Sequence, residues 1–456
     1  MGAGTSRRSV LRRTGALSAV GVAGLAGCIA SDDNGDDNGD VEGETLRIGA
    51  LQPVSGELEY YGQISLMGFY SGLAYKYGLD PIDGMTTGTY EIEPDDGPDI
   101  EIIVEDTEFV PDTAQRVAES LVVDDEVDIL FGGSSSDGVR QIIPRVVDEA
   151  DVPFIIGPGA DADITESADH CHELAFRASE HTAMDARAGG QYVAQEEDVS
   201  TVAIFAAEGA FGEGVANNWQ EVLENEGIEV LEPRFVEAGY SEFEGMFDEA
   251  LEQGADGVVG GFTFITLPEF LPTAMAYEDL QAFGGFAELV TTQITGETVE
   301  AVLGEDFTED DIREVGLGPF TTRYHWNQYD NEINDEFVEM HIDAYGQVPD
   351  LFSAGTFVGA SAMIQAVEEA GSTDGQDIAD AMRGMTVTDT PKGEDAYTFQ
   401  EHNNQAASAM TVAWPVPTSE EYEETWDASV MPGEPVATYE ADEVMVPADE
   451  STCDLG

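Results

Sequence analysis

Three short stretches of small and hydroxyl residues are the places where this chain could turn backbone amides toward a bound group: residues 55–63 (SGELEYYGQ), 132–138 (GGSSSDG) and 157–163 (GPGADAD). Glycine, serine and aspartate in such turns leave N–H groups free at a helix N-terminus to meet an anion, with Ser135, Ser136 or Asp137 as caps or hydroxyl donors. Capping alone accounts for Ser135, whereas Ser136 reads as a contact to the bound group. Catalytic machinery is harder to find. Neither lysine, Lys76 or Lys392, follows a phosphate-binding glycine run, and residues 209–214 (GAFGEG) have the wrong spacing for a dinucleotide turn. Serines 134–136 do not form a nucleophile elbow, because Gly133 and Gly138 stand too far apart. The histidines His170, His172, His181, His325, His341 and His402 are scattered, and His170-Cys171-His172 lacks a second ligand pair at metal spacing. No enzyme, cofactor or metal is expected; a hydrolase assembled from distant residues is the catalytic alternative.

Each of the three turns follows a segment that reads as a strand. β-Branched runs at 46–51, 100–105, 128–131 and 152–156 alternate with helical periodicity at 62–77, 111–123 and 138–150. Within the last of these helices Val139, Ile142, Ile143, Val146 and Val147 recur at one buried stripe. The pattern restarts near residue 179, with helices at 179–195, 213–226, 241–253 and 266–277 and strands at 201–205, 228–236 and 257–261. This alternation predicts an α/β chain of two Rossmann-like lobes with parallel sheets joined by a hinge, whose binding positions lie beyond the carboxyl ends of the strands. Residues 77–99 look like an insertion, and the region after 316 is mainly helical.

At 456 residues the chain exceeds what one hydrophobic core organises, which agrees with two lobes. It carries 94 acidic against 16 basic residues, a formal charge of −78, and the acids punctuate nearly every helix. Such a surface repels itself in dilute buffer but is tolerated where multimolar salt shortens the Debye length to roughly 3 Å or less, so it reads as halophilic adaptation. The same field excludes nucleic acid and anionic membrane surfaces as partners, since both demand a basic patch.

The N-terminus reads as an address. Arg7, Arg8, Arg12 and Arg13 precede an apolar run at 14–27 that is too short and too glycine-rich to span a bilayer. The segment 1–27 resembles a twin-arginine export signal, and Leu25-Ala26-Gly27-Cys28 resembles a lipobox that would make Cys28 a lipid anchor. Residues 28–44 are acidic and almost free of large apolar side chains, which predicts a disordered tether. The expected location is the cell surface, on the extracellular side of the membrane, held there through Cys28. Cys171 and Cys453 are then an even pair in an oxidising compartment; whether they bridge depends on a Cα separation that the sequence does not supply.

Five segments in this order, LRIGALQPVSGELEYYGQ (46–63), GGSSSDG (132–138), IIGPGADADIT (155–165), AAEGAFGEGV (206–215) and TPKGEDAYTFQEHNNQA (390–406), resemble the leucine/isoleucine/valine-binding proteins, the type I solute-binding fold. The resemblance implies an extracellular receptor of an ABC importer, partnered by a membrane permease. Its first lobe would be residues 45–177 with about 316–372, and its second 178–315 with about 373–456. It further implies that Tyr61 lines a side-chain pocket, Ser136 takes a carboxylate in the turn that also holds the candidate Asp137, and Gly159 or Ala160 offers backbone groups. Asp161 stands where the family has a threonine, Phe211 replaces a tyrosine, and Glu288 lies close to an ammonium-binding glutamate. Phe262 or Phe264 falls near another aromatic position; core packing is the alternative for Phe211, Phe262 and Phe264. The implied ligand is a branched-chain or other amino acid, then amides or urea-like solutes; a sensory receptor of the same fold is the other functional alternative.

Overall fold

A computed structural model describes residues 41, 43–285 and 288–456. The signal-like segment, Cys28 and all but the last few residues of the expected tether lie outside the described residues.

The first lobe is a six-stranded sheet: β1 (Thr45–Gln52), β2 (Gly88–Ile92), β3 (Asp99–Asp106), β4 (Ile129–Gly132), β5 (Phe154–Ile156) and β6 (Ala175–Arg177), in the order β2-β3-β1-β4-β5-β6. Every pairing but β2–β3 is parallel, so strands such as β4 (ILFG) are covered on both faces and buried throughout. The expected insertion at 77–99 contains β2, which extends the sheet as an antiparallel edge.

The second lobe holds β7 (Thr201–Ala207), β8 (Glu229–Val230), β9 (Arg234–Val236), β10 (Gly257–Gly261) and β11 (Gln281–Gly284), all parallel in the order β11-β10-β7-β8, with β9 also against β7. The α/β class and the two doubly wound sheets are therefore as the alternation predicts.

The helices that carry site residues are α1 (Tyr60–Tyr77), α2 (Pro111–Val123), α3 (Ser136–Ile142), α4 (Thr182–Glu196), α5 (Ala210–Asn225), α6 (Leu289–Leu303), α7 (Glu332–Tyr345) and α8 (Leu351–Ala370). The single helix expected over 138–150 is instead α3 followed by a π segment, Ile143–Val147, because Pro144 has no N–H to continue the ladder. Its apolar stripe is nonetheless buried as expected. Helices α1 and α8 meet at backbone contact: a Cβ on Gly68 would sit 2.1 Å from the Ser353 carbonyl oxygen, and one on Gly72 2.6 Å from that of Phe357. That approach brings Tyr61 and Phe352 together at the mouth of the first lobe, their rings 5.4 Å apart.

The rest of the chain departs from the expected division at 373. Side chains between 378 and 406, including Ile378, Met382, Val387, Tyr397 and Phe399, belong to the core of the first sheet. Strands β13 (Thr386–Val387), β14 (Tyr397–Phe399) and β15 (Ala406–Ala407) form a small sheet there, while β12 (Phe320–Thr322), β16 (Met410–Pro417) and β17 (Val430–Tyr439) form another. The crossovers between lobes are held by buried ion pairs: Arg323 Nη2 to Asp185 at 2.5 Å, and Lys392 Nζ to Glu180 Oε1 at 2.7 Å. Cys171 and Cys453 are bonded, with Cα atoms 6.1 Å apart, which fastens the C-terminal tail to the first lobe.

Candidate functional site

Between the lobes lies a cavity of about 280 Å³ with walls from both. On the first-lobe side it meets Ser134, Ser135, Ser136 and Asp137 after β4, Pro158 and Ala160 after β5, and the apolar side chains Leu58, Tyr61, Phe109 and Phe352. On the second-lobe side it meets Ala207, Glu208, Phe211, Ala238, Thr263 and Ile265. No lysine or arginine lines it among the described residues.

The polar end is built from two turns. Gly132 has φ 124°, and a Cβ there would lie 2.2 Å from the Leu51 carbonyl oxygen, so only glycine lets β4 end flat against β1. The chain then enters α3, where Ser135 caps by accepting from the Gly138 N–H at 3.3 Å. Ser136, 5% exposed, accepts from the Asp161 N–H at 3.2 Å, which leaves its hydroxyl hydrogen for a bound group. The Ala160 amide makes no hydrogen bond within the described residues. Ser136, Ala160 and the α3 N-terminus thus converge as donors.

The other predicted residues divide. Tyr61, Ser136, Asp137, Ala160 and Phe211 line the cavity. Asp137 reaches the second lobe, where its Oδ2 accepts from the Ala210 N–H at the start of α5, 3.3 Å away. Gly159 sits behind the wall, its N–H on the Gly133 carbonyl at 3.0 Å. Asp161 is buried away from the cavity in an ion pair with Arg140, and burial pushes its carboxyl up to about 6. Its charge therefore meets a guanidinium and is not turned toward a solute in the cavity. Phe262 packs in the second core, 5.1 Å from Phe270 and 5.5 Å from Phe243, and also touches a smaller cavity of about 50 Å³. Phe264 bridges the lobes, its ring 5.3 Å from that of Tyr61.

Glu288 lines that smaller cavity beside Phe211, which borders both cavities. It is 1% exposed, accepts from the Thr291 hydroxyl, and its Oε2 has no hydrogen-bond partner among the described residues. Burial, then the nearby Asp350 carboxylate, pushes its carboxyl up to about 8. Asp350 caps α8, and its other oxygen accepts from the Tyr60 hydroxyl and from the Leu289 N–H at 3.3 Å.

Phe109, Phe352, Glu208 and Ile265 were not anticipated. Phe109 had a usable signal, since it follows β3 at a fourth strand end of the same kind as the other three. Phe352 had none: it arrives from a helix nearly 300 residues from Tyr61 in sequence.

A family model described as periplasmic binding protein matches residues 45–415. The leucine-, isoleucine-, valine-, threonine- and alanine-binding protein of Pseudomonas aeruginosa is 22% identical over 352 residues, which cover 77% of this chain and 85% of that protein. The amino acid ABC transporter substrate-binding protein from Pseudomonas fluorescens Pf-5 superposes with a TM-score of 0.71 at 20% identity, over 90% of this chain and 99% of that one. A solute-binding protein of an ABC transporter from Rhodopseudomonas palustris BisB5, in complex with 3,4-dihydroxybenzoic acid, gives 0.67 at 18% identity, over 89% and 99%.

Proposed function

Since the chain belongs to the periplasmic binding protein family, we propose that it is the solute receptor of an ABC-type importer, closing its two lobes over one small amphipathic molecule. The observation that carries this is the cavity of about 280 Å³ whose walls are shared between lobes. A ligand that touches both walls favours the closed arrangement over the open one by its differential contacts, and a membrane permease would receive the closed form.

An apolar amino acid fits the chemistry. Its carboxylate would take the Ser136 hydroxyl, the Ala160 amide and the α3 N-terminus; Tyr61, Phe109, Phe211 and Phe352 would enclose its body; Glu288 would receive its ammonium. Amides and urea-like solutes are the second reading, favoured by Asp137 and Glu208, two acids at a cavity without a lining cation. Export by the twin-arginine route and anchoring through Cys28 at the outer face of the cell membrane complete the proposal.

The test is thermal unfolding of residues 45–456 in multimolar KCl with single amino acids, short amides and urea added in turn, because a ligand bound only by the folded state raises the melting temperature. A rise with leucine, isoleucine or valine supports the amino acid receptor, a rise with amides alone moves the ligand class, and no rise with any solute counts against a receptor for these molecules.

A further inference from the structure

Arg177 ends β6 at the first crossover and is fully buried. Its guanidinium does not spend its donors on a carboxylate. Nη1 donates to the backbone carbonyls of Gly159 at 3.0 Å and Asp161 at 2.7 Å, Nη2 to that of Ala162 at 3.5 Å and to the Thr165 hydroxyl, and Nε to Gln405 Oε1 at 2.6 Å. Three carbonyls of one short turn are thereby drawn to the side away from the cavity. The amides of that turn are fixed in turn: Asp161 N–H points to Ser136 Oγ, Ala162 N–H to Thr182 Oγ1 at 3.1 Å, and Ala160 N–H has no acceptor among the described residues. Gln405 lies on another crossover and pairs with Arg177 as an isolated bridge, so the turn is referenced to the hinge itself.

We propose that Arg177 is a positioning residue for the ligand: by holding three carbonyls of the 159–162 turn, those of Gly159, Asp161 and Ala162, it presents the Ala160 N–H and the Ser136 hydroxyl as a preformed cradle for an anionic head group. It rests on the receptor function proposed above and narrows it to solutes that carry an acid. The guanidinium fork matters as well as its charge, because one planar group serves five acceptors and a lysine ammonium has three donors at a point.

Two measurements on Arg177→Lys, in the chain from residue 45 in multimolar KCl, test this. Hydrogen exchange without ligand reads the turn directly: deuterium uptake across residues 157–164 should rise while the sheet cores keep wild-type protection, and unchanged uptake there overturns the proposal. Calorimetric titration of matched pairs, leucine with leucinamide and benzoate with benzamide, reads the cradle. The acid member should lose about tenfold or more relative to its amide, as expected when a charge-assisted contact is misplaced. An equal loss for acid and amide assigns Arg177 a purely structural role and overturns the proposal. If Arg177→Lys does not fold, Thr165→Val removes one of the five acceptors of the guanidinium, together with the Thr165 hydroxyl's bond to Gln405 Oε1, and should show the same pattern, weaker. A wild type that binds none of the four solutes counts against the receptor function for these molecules, while the exchange result still decides whether Arg177 sets the turn.

Discussion

The two walls of the cleft are made differently. The first-lobe polar wall comes from consecutive turns at adjacent strand ends, locked by hydrogen bonds among Ser136, Asp161 and Arg177. The second-lobe wall is gathered from separate elements, as Phe211 opens α5, Ile265 follows β10 and Glu288 precedes α6. A wall built from one hydrogen-bonded unit is set before the ligand arrives; a wall of independent side chains can change its solute by changing one of them. The first should govern whether an acid head group binds at all, and the second which body and which charge accompany it.

The sharpest break in that contrast is Glu288→Gln. Solutes with an ammonium should lose on the order of 100-fold in affinity, near the upper end for a charged hydrogen bond, while neutral-headed analogues change little. Titration calorimetry on leucine and on an analogue that keeps the carboxylate but lacks the ammonium, such as isocaproate, separates the two, and equal losses would erase the division of labour. The same carboxyl predicts a pH slope. Burial holds this carboxyl up to about 8 in the empty receptor, so an arriving ammonium must displace a proton, and binding should strengthen roughly tenfold for each unit that the pH rises towards 8 and level off above it. A flat profile between pH 6 and 8 would remove Glu288 from the ammonium site.

Phe211→Ala comes next. Truncating an aromatic that borders both cavities should weaken apolar solutes by roughly thirtyfold, about 2 kcal/mol of lost burial, and do so equally for acids and amides of one shape. Ser136→Ala should cost roughly tenfold, and only for solutes with an acid group, which an acid and amide pair in the same assay would reveal. Smallest at the cleft is Cys453→Ser. It frees a tail that closes a loop of 282 residues, so it should lower stability by about 2–4 kcal/mol in denaturant unfolding yet leave ligand affinity within about twofold. A larger loss of affinity would mean that the tail takes part in closing the lobes.

Legibility in the sequence followed the same division. Ser136 and Ala160 could be singled out because a strand end followed by glycine and hydroxyl residues is a local pattern with one physical use. Asp161 shows the limit of that reasoning: it lies in the right turn, but its side chain goes to Arg140, and nothing in residues 157–163 encodes that choice. The packing of residues 378–406 on the first sheet, where the second lobe was expected, escaped the sequence for a related cause. Strands of two or three residues such as β13 and β15 carry too little periodicity to show which sheet they join, and only their packing against α8 and Phe176 does so.

Hydrophobic alternation, turn chemistry and charge are properties of ten to twenty neighbouring residues, and they were enough to specify the two doubly wound lobes, the strand ends that line the cleft and the acidic surface. Which side chains distant in sequence meet was decided in three dimensions. Phe352 beside Tyr61, Arg323 on Asp185, Lys392 on Glu180 and Cys171 bonded to Cys453 all join residues more than 100 positions apart. Such pairings depend on where the chain recrosses the hinge and on how closely α1 and α8 approach, and both are fixed by the packing of whole elements, which local sequence does not carry.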